Sequence, residues 1–170
     1  MKKIALINDL SGFGNCSLTA AIPVISALGL EACPLPTAIL TAQTGFPGYY
    51  CDDYTDRMDF FTSKWADMGV RFDGICSGYL ASPAQIAKVK NFLNEFQKPD
   101  TLYLMDPVLG DHGRPHPFCT DAFIKGMREL SELATVITPN LTEACLLADI
   151  SYDDLYAHRY EEDYLPRIQD

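Results

Sequence analysis

Positive charge is scarce in this sequence. Its 170 residues carry 13 Lys and Arg against 23 Asp and Glu, a formal net charge of −10, and no basic cluster interrupts the acidic excess. Nucleic acid and anionic membrane surfaces are bound by neutralising their phosphates, so this chain is a poor partner for either. No apolar run approaches the roughly 20 residues of a membrane span, and Met1 to Asp9 is too short to serve as a secretory signal. The six cysteines, Cys16, Cys33, Cys51, Cys76, Cys119 and Cys145, contain no C-x-x-C pair; they read as reduced, buried thiols in a cytoplasmic protein.

Other absences narrow the chemistry. There is no H-E-x-x-H for zinc, no G-x-x-x-x-G-K-[ST] phosphate loop, no G-x-G-x-x-G dinucleotide turn and no G-x-S-x-G elbow. The histidines are His112, His116 and His158. The first two fall in a Gly- and Pro-rich loop, where solvated side chains are the expectation.

What remains is the composition of a folded soluble domain, 48% hydrophobic and 21% charged, with length for one sizeable core. Residues 3 to 8 form a short apolar run, and Asp9 to Asn15 a turn-rich loop. From Ser17 to Leu28 apolar residues recur at helical spacing, with Pro23 implying a kink or a late start. Residues 31 to 40 read as extended, 41 to 50 as a loop, and 52 to 68 as an amphipathic helix closed by Gly69. Phe72 to Ser77 is strand-like; Ser82-Pro83 caps and opens a helix to about Phe96. A strand over Leu102 to Met105, a loop over Gly110 to Phe118, a helix over 121 to 133, a strand over 135 to 137 and a helix after Asn140 complete the pattern. Strand and helix alternating in this way predict an α/β fold with a mostly parallel sheet covered on both faces. The last stretch, 151 to 170, is rich in Asp, Glu and Tyr and lacks a cap or closing strand.

In open parallel sheets ligands bind beyond the carboxyl ends of the strands. Asp9, Gly78-Tyr79, Asp106 with Asp111, and Thr138 with Asn140 and Glu143 follow strands. Carboxylates gathered at one sheet edge suit a hard cation such as Mg²⁺ and, through it, phosphate oxygens. Each residue alone has a plainer reading, as a turn former or a helix-start acid.

Taken together, three blocks resemble the pyridoxal kinase family within the ribokinase-like superfamily: Thr44-Gly45-Phe46, Met105-Asp106-Pro107-Val108-Leu109-Gly110-Asp111, and Ile137-Thr138-Pro139-Asn140-Leu141-Thr142-Glu143-Ala144. Gly14-Asn15 and Ser77-Gly78-Tyr79-Leu80 fit the same family. The resemblance runs from Ile4 to about Ile150 and implies a three-layer sheet with helices on both faces. It also implies ATP-dependent phosphorylation of the 5′-hydroxymethyl group of pyridoxal, pyridoxine or pyridoxamine. It places Asp9, Gln43, Thr44 and Tyr79 at the vitamer, Asp111, Arg114 and Asn140 at the nucleotide phosphates, and Asp106, Thr138 and Glu143 around the cation. Asp9 stands where the family has a serine, Gln43 where it often has a histidine, and Ala42 where it has an asparagine.

By the same resemblance the cofactors are ATP and Mg²⁺, with dependence on a monovalent cation left open, and the assembly is a homodimer. The loop Gly110 to Phe118 resembles a flap that closes over ATP. The family's Gly-Thr-Gly-Asp block, which carries the catalytic aspartate, does not occur in these 170 residues. The expectation is therefore the N-terminal portion, over residues 1 to 170, of a single ribokinase-like domain, with no catalytic base in this chain. Two other readings stay open: a hydroxymethylpyrimidine kinase of thiamin synthesis, and a short vitamer-binding protein without catalysis.

Overall fold

The computed structural model describes residues 1–157; His158 and most of the acidic, tyrosine-rich stretch to 170 lie outside the described residues. Along the chain run β1 (Lys3–Ser11), α1 (Ser17–Ala27), β2 (Glu31–Leu40), β3 (Cys51–Asp53), α2 (Thr55–Asp67), β4 (Gly74–Ser77) and α3 (Pro83–Phe96). There follow β5 (Leu102–Met105), β6 (Gly110–Asp111), β7 (Arg114–Pro115), α4 (Asp121–Ser131), β8 (Val136–Ile137), α5 (Leu141–Ala148) and α6 (Tyr152–Ala157). Six strands form one sheet in the order β3-β2-β1-β4-β5-β8, parallel except for the β2–β3 pair. The predicted α/β class stands.

β1 is central because Ala5 and Ile7 are apolar on one face and Ile4 and Leu6 on the other, as a strand buried on both sides requires. Ala5 and Ile7 join Ile75, Tyr103 and Met105 in the main core under α2, α3 and α4. Trp65, Phe72, Phe92 and Phe96 close that layer, with ring centroids 4.6–6.1 Å apart. α3 begins where Ser82 and Pro83 indicated, the Ser82 hydroxyl accepting from the Gln85 amide. α1 starts at Ser17 and runs through Pro23, so the late start that the proline allowed is not taken.

The opposite face carries Leu6 and, on α1, Leu18, both buried. Helices therefore lie on both faces, as expected, with α1 alone on this one among the described residues. A groove of about 230 Å³ runs between α1 and β4–β5, lined by Ala21, Val24, Ile25, Cys76 and Leu104. Val24, Leu28, Leu102 and Val136 are exposed around it. Only α1 lies against this side of the described sheet, so a largely apolar helix buries just one of its residues, Leu18.

Four further expectations change. β1 extends to Ser11, into the segment read as a loop. A short antiparallel β3 precedes α2, and the 110–118 loop contains the hairpin β6–β7. The cysteines are all free, as expected, but Cys145 alone is buried; Cys51 is exposed and the others are half-buried. Among the described residues no helix is long and apolar enough to cross a membrane.

Candidate active site

A cavity of about 530 Å³ opens beyond the carboxyl ends of β1, β4 and β5, at the edge where parallel sheets bind ligands. Asp9, Gln43, Thr44, Tyr79 and Asp106 all line it, so five residues drawn from four separate stretches of sequence meet at one place. Asn8, Ser11, Cys16, His116 and Phe118 complete much of the wall.

Asp9 reaches the cavity through a local irregularity. Asn8 pairs with Pro36 and Leu10 with Ile39, so Asp9 is opposed by two residues, Thr37 and Ala38, in the manner of a β-bulge. The Asn8 side chain fixes the corner: its Oδ1 accepts the Asp9 and Tyr79 amides, both at 2.9 Å. Gly78 is required there, because a Cβ would lie 2.3 Å from Asn8 Nδ2. Thr37 donates its hydroxyl to the Tyr79 carbonyl at 2.8 Å. Burial, reinforced by the neighbouring Cys51 and Asp9, pushes the Tyr79 hydroxyl up to about 12, so it stays protonated and available as a donor. Gln43 is held by the Gly45 amide, which donates to its Oε1 at 2.9 Å.

Asp106 joins this cavity to a second group. Burial raises its pKa, and a hydrogen bond with Thr138 pulls it partly back. Glu143 is buried and likewise raised, first by burial and further by Asp106, while hydrogen bonds from the Asn140 and Leu109 amides oppose the rise. Those amides reach Glu143 Oε2 at 2.8 Å and Oε1 at 3.3 Å. Asp106, Thr138 and Glu143 thus present oxygen donors only, the chemistry of a Mg²⁺ site that leaves most positions to water and phosphate. Among the described residues no group of three or more His, Cys, Asp and Glu side chains gathers around a metal position, so two carboxylates are the charge on offer.

The remaining predicted residues lie apart from the cavity wall. Asn140 caps α5, accepting the Glu143 amide at 3.0 Å, and donates to the Gly110 carbonyl at 2.9 Å. Asp111 accepts the His112 amide at 2.8 Å, and Arg114 is exposed on β7. His112 and Gly113 both have positive φ, 52° and 77°, the pair of left-handed residues a tight two-residue hairpin needs.

The sequence reading missed His116, which it left to solvent. His116 stacks on Phe118 with centroids 5.7 Å apart and planes 13° apart, and Phe118 packs edge-on against Tyr79 at 5.3 Å. The signal was the aromatic neighbour two residues on, separated from the histidine by a proline. Ser11 was missed because β1 runs three residues further than its apolar run, and Asn8 because it ends that run as one polar residue of a strand.

A mostly parallel α/β sheet with a cavity at its carboxyl edge and an all-oxygen acidic group beside it defines the class, an α/β fold of the kind that takes ligands beyond the carboxyl ends of its strands. The chain belongs to the phosphomethylpyrimidine kinase family, whose model matches residues 13–165. It is 29% identical over 156 residues to pyridoxal kinase PdxY of Burkholderia mallei, covering 87% of this chain and 53% of that one. A crystal structure, with pyridoxal, of a Bacteroides thetaiotaomicron protein described as a candidate phosphomethylpyrimidine kinase superposes with a TM-score of 0.87 at 44% identity, over 99% of this chain and 59% of that one. Pyridoxal kinase from Lactobacillus plantarum superposes with the same score, 0.87, at 29% identity, over 99% of this chain and 59% of that one. The chain spans about half the length of the curated relatives it matches.

Proposed function

We propose that this chain carries the vitamer pocket and part of the phosphate site of a vitamin B6 kinase, which transfers the γ-phosphoryl group of ATP to the 5′-hydroxymethyl group of pyridoxal, pyridoxine or pyridoxamine. One observation carries the reading: the cavity lined by Asp9, Gln43, Thr44 and Tyr79 lies in a fold whose relative at 44% identity was crystallised with pyridoxal. Its size suits a single substituted ring. Tyr79 and Phe118 offer aromatic edges and faces to such a ring.

Asp106 and Glu143, with the Thr138 hydroxyl, are the residues that would hold Mg²⁺, and the ion when bound neutralises charge on the transferring phosphate. The chain's own contribution there is to keep two carboxylates close together in a partly buried setting, where each raises the other's affinity for a cation. Asn140 supports that group from behind as the cap of α5. Asp111 and Arg114, on the hairpin, are the residues proposed to approach ATP. The catalytic base is assigned to no residue of this chain. The homodimer expected from the resemblance is supported by the exposed Phe46, Tyr49 and Tyr50 of the 41–50 loop.

The test is phosphorylation by the full-length product of the natural gene, supplied with ATP and Mg²⁺ and offered pyridoxal or hydroxymethylpyrimidine. Faster turnover of pyridoxal is the expected result. Preference for the pyrimidine, a reading that the family description favours, would overturn it.

A further inference from the structure

Hairpin β6–β7 carries Asp111 and Arg114 on strands of two residues each, and both side chains lie in an exposed stretch of chain. A ribbon that short does not hold its own shape in water, so its position is set by what it leans on. That support is the cap and first turn of α5. Asn140 donates to the Gly110 carbonyl at 2.9 Å, Glu143 Oε1 accepts the Leu109 amide at 3.3 Å, and Thr142 Oγ1 accepts the Gly113 amide at 2.8 Å. The first two hold the root of the hairpin. Of the three, only Thr142 reaches the tip, and it does so from a position 3% exposed. The other side of Gly113 is closed by Tyr152 of α6, since a Cβ on this glycine would lie 2.6 Å from Tyr152 Cδ1. The tip is thus seated between a hydroxyl and an aromatic ring. Glu143, which follows Thr142 on the same turn, belongs to the acidic group with Asp106.

We propose that Thr142 is a positioning residue of the phosphate site: by holding the Gly113 amide, its hydroxyl fixes Asp111 and Arg114 relative to Asp106 and Glu143, so that a nucleotide meets a site already assembled. The inference rests on the reading above that brings Asp111 and Arg114 to ATP. Without the Thr142 oxygen the Gly113 N–H has to turn to water to regain a partner, and the tip leaves its seat with it. Only molecules with the tip seated then bind nucleotide well, and the apparent affinity falls in proportion to their fraction. Thr142, Gly113, Asp111 and Arg114 do not line the vitamer cavity. His116 does, but it is held at the root of the hairpin, where its amide donates to the Leu109 carbonyl at 2.8 Å. Loss of the Thr142 bond therefore acts on the nucleotide and spares the vitamer.

The experiment compares native, Thr142→Val and Thr142→Ser forms of the full-length protein. It measures equilibrium binding of two probes, a non-hydrolysable ATP analogue with Mg²⁺ and pyridoxal, and amide exchange across Asp111–Arg114. Valine keeps the branched shape and removes the acceptor, whereas serine keeps the acceptor. Thr142→Val should weaken the nucleotide analogue about 3- to 10-fold, leave pyridoxal within about twofold, and speed exchange about tenfold across the hairpin rather than at Gly113 alone. Thr142→Ser should behave as the native protein does, and Thr142→Ala serves if the valine variant does not fold. Native nucleotide affinity in the valine variant, or equal losses for nucleotide and pyridoxal, overturns the role of Thr142 and leaves the kinase reading standing. A native protein that binds no nucleotide overturns the kinase reading itself, and the proposal falls with it.

Discussion

Gln85 is wholly buried on the first turn of α3, yet it uses its amide at both ends. Its Oε1 accepts the Ala81 amide at 2.8 Å, and its Nε2 donates to the Thr37 carbonyl at 2.8 Å and to Thr55 Oγ1 at 2.9 Å. One side chain therefore ties α3, β2 and the start of α2 together behind Asp9 and Tyr79. Gln85→Leu fills the same volume but leaves a buried N–H and C=O unpaired, and it should cost about 3 kcal/mol in urea unfolding; a loss under about 1 kcal/mol would show that these groups find other partners. Asp106 and Glu143 make a second prediction, about pH. Both carboxyls are held above their ordinary range, chiefly by burial, so each binds its proton more tightly in the folded protein than in the unfolded one. Stability from these two groups is greatest below the ordinary value of about 4 and is lost as pH rises through the raised native values. Asp106→Asn should accordingly melt higher than the native protein above that window and approach it below. Calorimetric melts across the range check the sign, and a variant equally shifted at every pH would refute it.

The elements show what the sequence made legible. α3 was readable to the residue because Ser82-Pro83 gives both a cap and a preset first turn, and β5 because four apolar residues end at Asp106-Pro107. β3 was not, since Cys-Asp-Asp has no strand pattern and is extended only because β2 offers its free edge at Ala38–Leu40. The β6–β7 hairpin was hidden for a related reason: two-residue strands carry no periodicity, and the signal lay in His112-Gly113, a turn pair that looked like ordinary loop. Within the site, residues that directly follow strands were legible, while those delivered by tertiary packing, such as His116, were not. Asn140 shows how one residue holds the element pair together, by capping α5 and bonding Gly110 of β6. Asn140→Ala should cost about 1–2 kcal/mol through the lost cap and should speed amide exchange at Gly110–Arg114. Asn140→Asp keeps the cap acceptor but not the donor to Gly110, so it should restore most of the stability and little of the exchange protection. Identical exchange in both variants would mean that the hairpin does not depend on that bond.

At the scale of the molecule the two faces of the sheet are unequal. One is sealed by three helices and an aromatic layer, whereas the other leaves Val24, Leu28, Leu102 and Val136 exposed around the groove beside α1. An apolar patch of this kind binds hydrophobic dyes and favours association. The 170-residue chain is expected to enhance the fluorescence of anilinonaphthalene sulfonate while still melting cooperatively, and Val24→Lys with Leu28→Lys should cut that signal by about half with a stability change within about 0.5 kcal/mol. An unchanged signal would place the dye elsewhere.

The order of the strands has a consequence for synthesis. β1 is made first but sits between β2 and β4, so its second edge stays unpaired until Gly74–Ser77 have left the ribosome, and α1 waits with it, apolar on nearly every side. Long-range pairing of this sort is slow and exposes sticky surface while it waits. The first thirty residues are therefore the part of the nascent chain that most needs a chaperone, and substitutions there should lower the yield of protein in cells more than they lower the stability of the molecules that do fold.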